Sequence, residues 1–279
     1  MQSKQIQAHL QLQTHTHSSE FQSAGLNHRQ LNLDPILNID LFHMSQPTFP
    51  PHPHAGFSAV TYLLPESQGA FQNRDSLGDQ SLILPGSVHW TQAGSGVMHE
   101  EIPTVAGVDA WGFQIFVNLN PDAQLRPPQI FHADPAEIPI LEYETGKVSV
   151  IAGSFQGRAS HLNQLDTPVD FLDVQVNPHQ TLLLPLEHPY AYFAFGIAGT
   201  GSLAEQAFGA HQVATLSRDG DGVILSAQAE GLRLLIGGGE PLQQAVYWDG
   251  PFAMSRQDET LKARQRFIKG EMGRLSPSF

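Results

Sequence analysis

Apolar and polar residues alternate from the start of the chain. Ile6, Ala8, Leu10 and Leu12 are separated by Gln7, His9, Gln11 and Gln13. That period of two puts successive side chains on opposite faces of a half-buried strand. Comparable short runs recur. Residues 36–42 read as a strand that begins after Pro35, a residue ill suited to a central ladder position. Residues 57–64 carry the β-formers Val60, Thr61 and Tyr62. Further strands are expected over 70–75, 81–84, 88–91, 97–102 and 111–119. Turn chemistry separates them, as in Ser76-Leu77-Gly78-Asp79, Pro85-Gly86 and Asn120-Pro121. Many short strands joined by such turns predict an all-β sandwich or barrel.

The stretch 121–139 is Pro-rich and mostly polar and reads as a linker. Beyond it the strand pattern resumes over 147–152, 180–184, 191–197, 222–225 and 232–236. The expected organisation is therefore an N-terminal β domain over 1–130 and a second over 131–279. One helix is predicted near the C-terminus. Ser255 with Asp258 matches a capping box, Leu261, Phe267 and Ile268 give an apolar face, and Gly270 ends it.

Composition narrows the function classes. The 279 residues, 41% hydrophobic, carry a formal net charge of -13. That argues against a direct nucleic-acid surface, though not against a protein partner that itself binds DNA. There are no cysteines, so disulfides, thiolate metal sites and cysteine nucleophiles are excluded. No apolar run is long enough to span a membrane, and the Gln- and His-rich start has no signal-peptide pattern. A cytoplasmic protein without membrane association is the expectation.

Candidate chemistry lies in two stretches. His52-Pro53-His54 places two imidazoles at i and i+2, and His99-Glu100-Glu101 places an imidazole and a carboxylate at the same spacing. On strands, i and i+2 share a face. Side by side in a barrel, His52, His54, His99 and Glu101 would converge on one divalent transition metal. Fe(II), Mn(II), Ni(II), Cu(II) and Zn(II) all accept such donors. An octahedral ion would keep two positions open, as a catalytic site requires. Glu100 faces the other way and reads as a solvated carboxylate. His89 reads as a satisfied strand histidine, not as a donor to the cavity. Trp90, Phe57 and Phe71 read as core. His15 and His17, also at i and i+2, lie among Ser and Thr and read as solvated strand-end residues. His161, His179, His188 and His211 are scattered and read as surface or structural.

Taken together, these stretches resemble the pirin family of the cupin superfamily. The resemblance is carried by Leu33-Asp34-Pro35, Asp40-Leu41-Phe42, His52-Pro53-His54-Ala55-Gly56-Phe57 and Val60-Thr61-Tyr62-Leu63-Leu64. It continues through Arg74-Asp75-Ser76-Leu77-Gly78, Pro85-Gly86-Ser87-Val88-His89-Trp90 and Ala93-Gly94-Ser95-Gly96-Val97-Met98-His99-Glu100-Glu101, and returns at Gly250-Pro251-Phe252-Ala253-Met254. It implies two tandem jelly-roll-like cupin barrels, with a metal only in the first, held by His52, His54, His99 and Glu101. It also implies iron as the metal. Family members include quercetin-opening flavonol dioxygenases and regulators that act through protein partners. The chain departs from the family's pattern beside the ligands, with Ala55-Gly56-Phe57-Ser58, Asn73 and His89-Trp90-Thr91 where Arg-Gly-Phe-Glu, His and Gln-Trp-Met are common.

Two functions follow as expectations. The first is a mononuclear, Fe(II)-dependent dioxygenase for a flavonol-like or other chelating small molecule, with Glu101 shifting from ligand to base. The second is a non-enzymatic metal- or redox-sensing regulator acting on a protein partner. A third possibility is the same fold with no metal bound in the cell.

Overall fold

The protein is described from a computed structural model covering residues 2–186 and 189–279. The strands of the first half are β1 (Ile6–Gln11), β2 (His15–Ser18), β3 (Phe21–Asn27), β4 (Ile36–Met44), β5 (His52–His54), β6 (Phe57–Leu63), β7 (Phe71–Asp75), β8 (Leu82–Ile83), β9 (Val88–Gln92), β10 (Val97–Pro103), β11 (Ala110–Asn118) and β12 (Gln129–Ala133). The second half supplies β13 (Ile140–Tyr143), β14 (Gly146–Ala152), β15 (Ser154–Phe155), β16 (Arg158–Ala159), β17 (Val169–Val176), β18 (Thr181–Pro185), β19 (Ala191–Leu203), β20 (Gln206–Gly209), β21 (Gln212–Leu216) and β22 (Gly222–Gly239). A hairpin of β23 (Tyr247–Asp249) and β24 (Phe252–Met254) precedes the helix α1 (Gln257–Ile268). The all-β class with one C-terminal helix is as the sequence pattern predicts.

The chain forms two compact units, but a single cut near residue 130 does not separate them. The second unit, named for holding most of the chain's second half, comprises Met1–Gln13, Leu26–Pro35 and Ala136–Pro241. The other comprises Thr14–Gly25, Ile36–Pro135 and Leu242–Phe279. The physical reason is strand pairing. β1, with its alternating pattern, completes the second unit by pairing antiparallel with β21. Lys4 anchors it, with Nζ donating to the carbonyls of Ser217 at 3.1 Å and Arg218 at 2.9 Å. The segment expected as a linker is likewise structural, since its β12 pairs with β9 and completes a sheet of the first unit.

In the unit containing residues 36–135, a seven-stranded sheet of order β12-β9-β6-β11-β4-β3-β2 accompanies a four-stranded sheet of order β5-β10-β7-β8. Both are antiparallel. β6 is buried along its whole length, its polar Ser58 and Thr61 included. Phe42, Met44, Leu63, Phe71 and Ile83 form one apolar cluster. Leu37, Phe57, Ala59 and Ala253 form another.

The C-terminal segment packs on this same unit. The Ala253 amide donates to the Ala55 carbonyl at 3.0 Å, directly after the His-Pro-His strand. Gly56 permits this approach: its φ is +89°, and a Cβ would collide with the Ala253 carbonyl. Ala263 of α1 and Met272 pack with Met98 and Phe252. The predicted capping box is not formed. Arg256 occupies the N-cap without a side-chain cap, and Ser255 Oγ instead bonds Gln124 Oε1 at 2.9 Å. Asp258 is held by Arg256 and Lys262.

The second unit is a nine-stranded sheet system whose main path runs β1-β21-β19-β22-β17-β14-β13. Its core includes Val148, Val174, Leu184, Tyr192, Phe208 and Leu234. β22 is one 18-residue strand, where the hydrophobic pattern suggests two. Its exposed centre, Gln228–Glu230, breaks the apolar run, while the ladder continues by passing from β18 to β17. β17 itself is hidden in the sequence by Asp170 and Asp173. Both are buried and satisfied: Asp173 receives a forked pair from Arg233 at 2.9 and 2.6 Å, and Asp170 accepts from Tyr192 Oη at 2.7 Å.

Candidate metal centre

The short strand β5 carries His52 and His54, and Pro53 between them fixes its extended backbone. β10 lies antiparallel beside it, with His99 directly opposite His52. The pleat then turns all three imidazoles to one side. Their ring centroids are 4.8 Å (His52–His54), 4.7 Å (His52–His99) and 4.8 Å (His54–His99) apart, a nearly equilateral triangle. One nitrogen from each can be chosen so that all lie within 4.8 Å of one another. Among the described residues this is the one such group of three.

His52 Nδ1 donates to the Pro50 carbonyl at 2.9 Å. That fixes its tautomer and leaves the Nε2 lone pair free. This Nε2 faces His54 Nε2 at 3.1 Å. Both ring nitrogens of His99 are buried without a hydrogen-bond partner. Burial, with help from the neighbouring His52, pushes the His54 pKa down to about 3. His99 is lowered well below its ordinary value by burial and by His54 and His52. The triangle is therefore three neutral imidazoles aimed at each other, with unpartnered nitrogens between them. A divalent transition metal fits that donor set.

Glu101 lies two residues beyond His99 and lines the same cavity. It is outside the three-histidine group. Thr61 Oγ1 donates to its Oε2 at 2.5 Å, and burial raises its pKa from 4.5 to about 7 against that hydrogen bond. Of the four residues singled out by spacing, the structure gathers the three histidines into one cluster and sets Glu101 beside them.

Other positions differ from expectation. Glu100 is not solvated: it is fully buried, opposite Arg74 in the ladder. Arg74 Nε donates to its Oε1 at 2.7 Å, and Ser278 Oγ contacts the same oxygen. His89 is a buried strand residue as expected, with Nδ1 3.3 Å from Nδ1 of His132. Burial lowers its pKa to about 4, with Asp79 opposing and His132 assisting. Its Nε2 has no partner, so it is only half satisfied. Trp90 and Phe57 are core as expected. Phe71 is core too, yet it also lines the cavity. His15 and His17 are exposed, but His17 lines the cavity mouth and stacks on Phe21 at 4.6 Å. Its i, i+2 spacing with His15 singles it out in the sequence, but the apolar partner Phe21 lies on β3, a strand the pattern does not reveal. In the second half, His161 and His179 are exposed and His211 is half-buried, while His188 lies outside the described residues.

The cavity has a volume of about 520 Å³, within the usual range for a small-molecule site. Its walls are aromatic, with Phe21, Phe42, Phe49, Phe71 and Phe116. No helix among the described residues is long and apolar enough to cross a membrane.

Comparison with known proteins agrees with this architecture. Residues 3–117 match the Pirin family model and residues 171–273 the Pirin C-terminal cupin domain model. A pirin-like protein of Solanum lycopersicum is 32% identical over 247 residues, covering 87% of this chain and 83% of the relative. Human Pirin is 32% identical over 248 residues, covering 87% of this chain and 84% of the relative. A crystal structure of quercetin 2,3-dioxygenase from Acinetobacter baumannii superposes with a TM-score of 0.86 at 25% identity, covering 98% of this chain and 100% of that one. With its two cupin domains and its histidine triangle in the first, this chain belongs to the pirin family.

Proposed function

We propose that the protein is a mononuclear metal-dependent dioxygenase whose substrate is an aromatic chelator of the flavonol type. The observation that carries this reading is the triangle of neutral imidazoles in an aromatic-walled cavity of about 520 Å³. His52, His54 and His99 would hold the ion, with Glu101 as a fourth ligand or as a base. Fe(II) is the favoured ion, and Mn(II), Ni(II), Cu(II) and Zn(II) suit the same donors. When bound, the metal supplies Lewis acidity toward paired substrate oxygens and, if redox-active, electron transfer toward dioxygen.

The chain's own residues do the rest. Glu101, with a pKa raised to about 7, is poised to take the proton of a substrate hydroxyl near neutral pH. Thr61 occupies Oε2 and leaves Oε1 to face the substrate. Phe42 and Phe71, stacked at 5.6 Å with an interplanar angle of 7°, exclude water and offer flat apolar surface to a planar ligand. The similarity to a structure named quercetin 2,3-dioxygenase supports the same substrate class.

The test is elemental analysis of protein purified without chelator, followed by anaerobic Fe(II) loading and an oxygen-electrode assay with a flavonol. Flavonol-dependent uptake that requires bound metal is the expected result. Bound metal with no uptake for any flavonol tried would favour the alternative, a metal-sensing regulator with a protein partner.

A further inference from the structure

The cavity has a second polar group, away from the histidine triangle. Asp40 on β4, Ser23 on β3 and His17 on β2 line it together with Asn38. His17 Nε2 lies 3.1 Å from Ser23 Oγ, and Asn38 Nδ2 donates to Asp40 Oδ2. Gly25 makes room for the carboxylate: a Cβ there would collide with Asp40 Oδ1. Burial raises the Asp40 pKa, while Asn38, His17 and Ser23 pull it down. None of these four residues belongs to the metal-ligating group.

The ladder register sets the distance between the two polar groups. Asp40 is opposite Gln114, and Gln114 is opposite Thr61. Directly opposed residues share a face. Asp40 therefore stands two strand spacings, about 10 Å, from Thr61, the residue that holds Glu101. Aromatic rings bridge the gap. His17 stacks on Phe21, Phe21 meets Phe49 edge-on at 5.4 Å, and Phe49 meets His52 at 6.3 Å.

Resting on the reading of this cavity as the substrate site, we propose that Asp40, Ser23 and His17 form a second anchoring subsite. It selects aromatic ligands that carry a hydroxyl donor on a ring remote from their metal-binding oxygens. An ionised carboxylate only accepts hydrogen bonds, and a serine hydroxyl does both, so the group is matched to a phenolic O–H. A ligand without that donor would displace water from Asp40 and return nothing, and sites built to bond a hydroxyl reject analogues that lack it. The apolar walls fix the ring plane, and the two polar groups fix which end is which.

The test compares two ligands that differ by one hydroxyl, 3-hydroxyflavone and 3,4′-dihydroxyflavone. Each is titrated calorimetrically into Zn(II)-loaded protein with dioxygen excluded, so that binding is read without turnover. Wild type should bind the dihydroxy ligand about tenfold tighter, as one satisfied hydrogen bond of about 1.4 kcal/mol implies. Asp40→Ala and Ser23→Ala should each erase most of that preference, leave 3-hydroxyflavone binding within about twofold and leave zinc content unchanged, as expected when a single contact is lost. Equal affinities in wild type, parallel losses for both ligands in the variants, or no binding of either ligand would overturn the proposal. The two readings can fail separately. Oxygen uptake without hydroxyl preference removes the subsite and keeps the enzyme. Hydroxyl preference without uptake in the iron form does the reverse.

Discussion

His52 Nε2 and His54 Nε2 face each other at 3.1 Å, and the Pro50 carbonyl has already claimed the Nδ1 proton of His52. Two imidazole lone pairs at that distance need a proton or a cation between them, and His99 closes the triangle. Replacing His52 or His99 with alanine should therefore take bound metal from about one ion per chain to well under a tenth of that, since an open three-ligand site loses a third of its protein donors. Elemental analysis after desalting reads this directly. One tight metal retained in both variants would overturn the assignment, and two per wild-type chain would point to a second site.

The pH dependence of the metal-free protein should isolate Glu101. Its pKa is raised from 4.5 to about 7 by burial, against the Thr61 hydrogen bond. The folded state thus holds this proton more tightly than the unfolded state does. The resulting stabilisation is complete below about 4.5 and is lost as pH rises through 7, by up to about 3 kcal/mol. His54 runs the other way: burial lowers its pKa to about 3, so its contribution is present above 6.5 and lost as pH falls. Glu101→Gln removes only the first effect. In chelator-treated protein its Tm should match wild type near pH 4.5 and exceed it by pH 8. A Tm difference that stays flat across that range would contradict the raised pKa.

How much of this was legible in the sequence depends on what carried the signal. The ligand strands were readable because i, i+2 spacing is a local property: His52 and His54, or His99 and Glu101, share a face whatever packs around them. The all-β class was readable from Gly and Pro punctuation. What failed was long-range. β1 reads correctly as a strand, but nothing local says that its partner is β21, some two hundred residues on. β12 is disguised by the prolines on either side of it. Glu100 reads as solvent-facing because outward residues of a half-buried sheet usually are, and only Arg74 opposite and Ser278 from the C-terminal tail reveal it as buried. Asp40, Ser23 and His17 lie on three strands, so no spacing could join them.

That Glu100–Arg74 pair gives a further prediction. Glu100 is fully buried, while Arg74 is partly exposed. Arg74→Met would leave a buried carboxylate with its cationic partner gone, which costs about 3–5 kcal/mol. The double variant Arg74→Met/Glu100→Gln removes both charges and should recover most of that loss. Urea unfolding midpoints measure both. Because Glu100 sits between His99 and Glu101 on β10, the single variant should also weaken metal retention, and the double variant should restore it. A single variant as stable as wild type would mean the pair carries no weight.

The first thirteen residues offer a test of the divided architecture. β1 covers the edge of β21, and Lys4, fully buried, is tied to the carbonyls of Ser217 and Arg218. Deleting residues 1–13 bares a row of unpaired backbone groups on β21, the condition that promotes strand exchange and aggregation. The unit containing 136–241 should then melt earlier and be cut first in limited proteolysis, within β19 to β22. The histidine triangle draws all its strands from the other unit, so metal content per folded chain should hold. Loss of metal in step with loss of the second unit would show instead that the two units fold as one cooperative body, and that the terminal strand supports the metal centre through it.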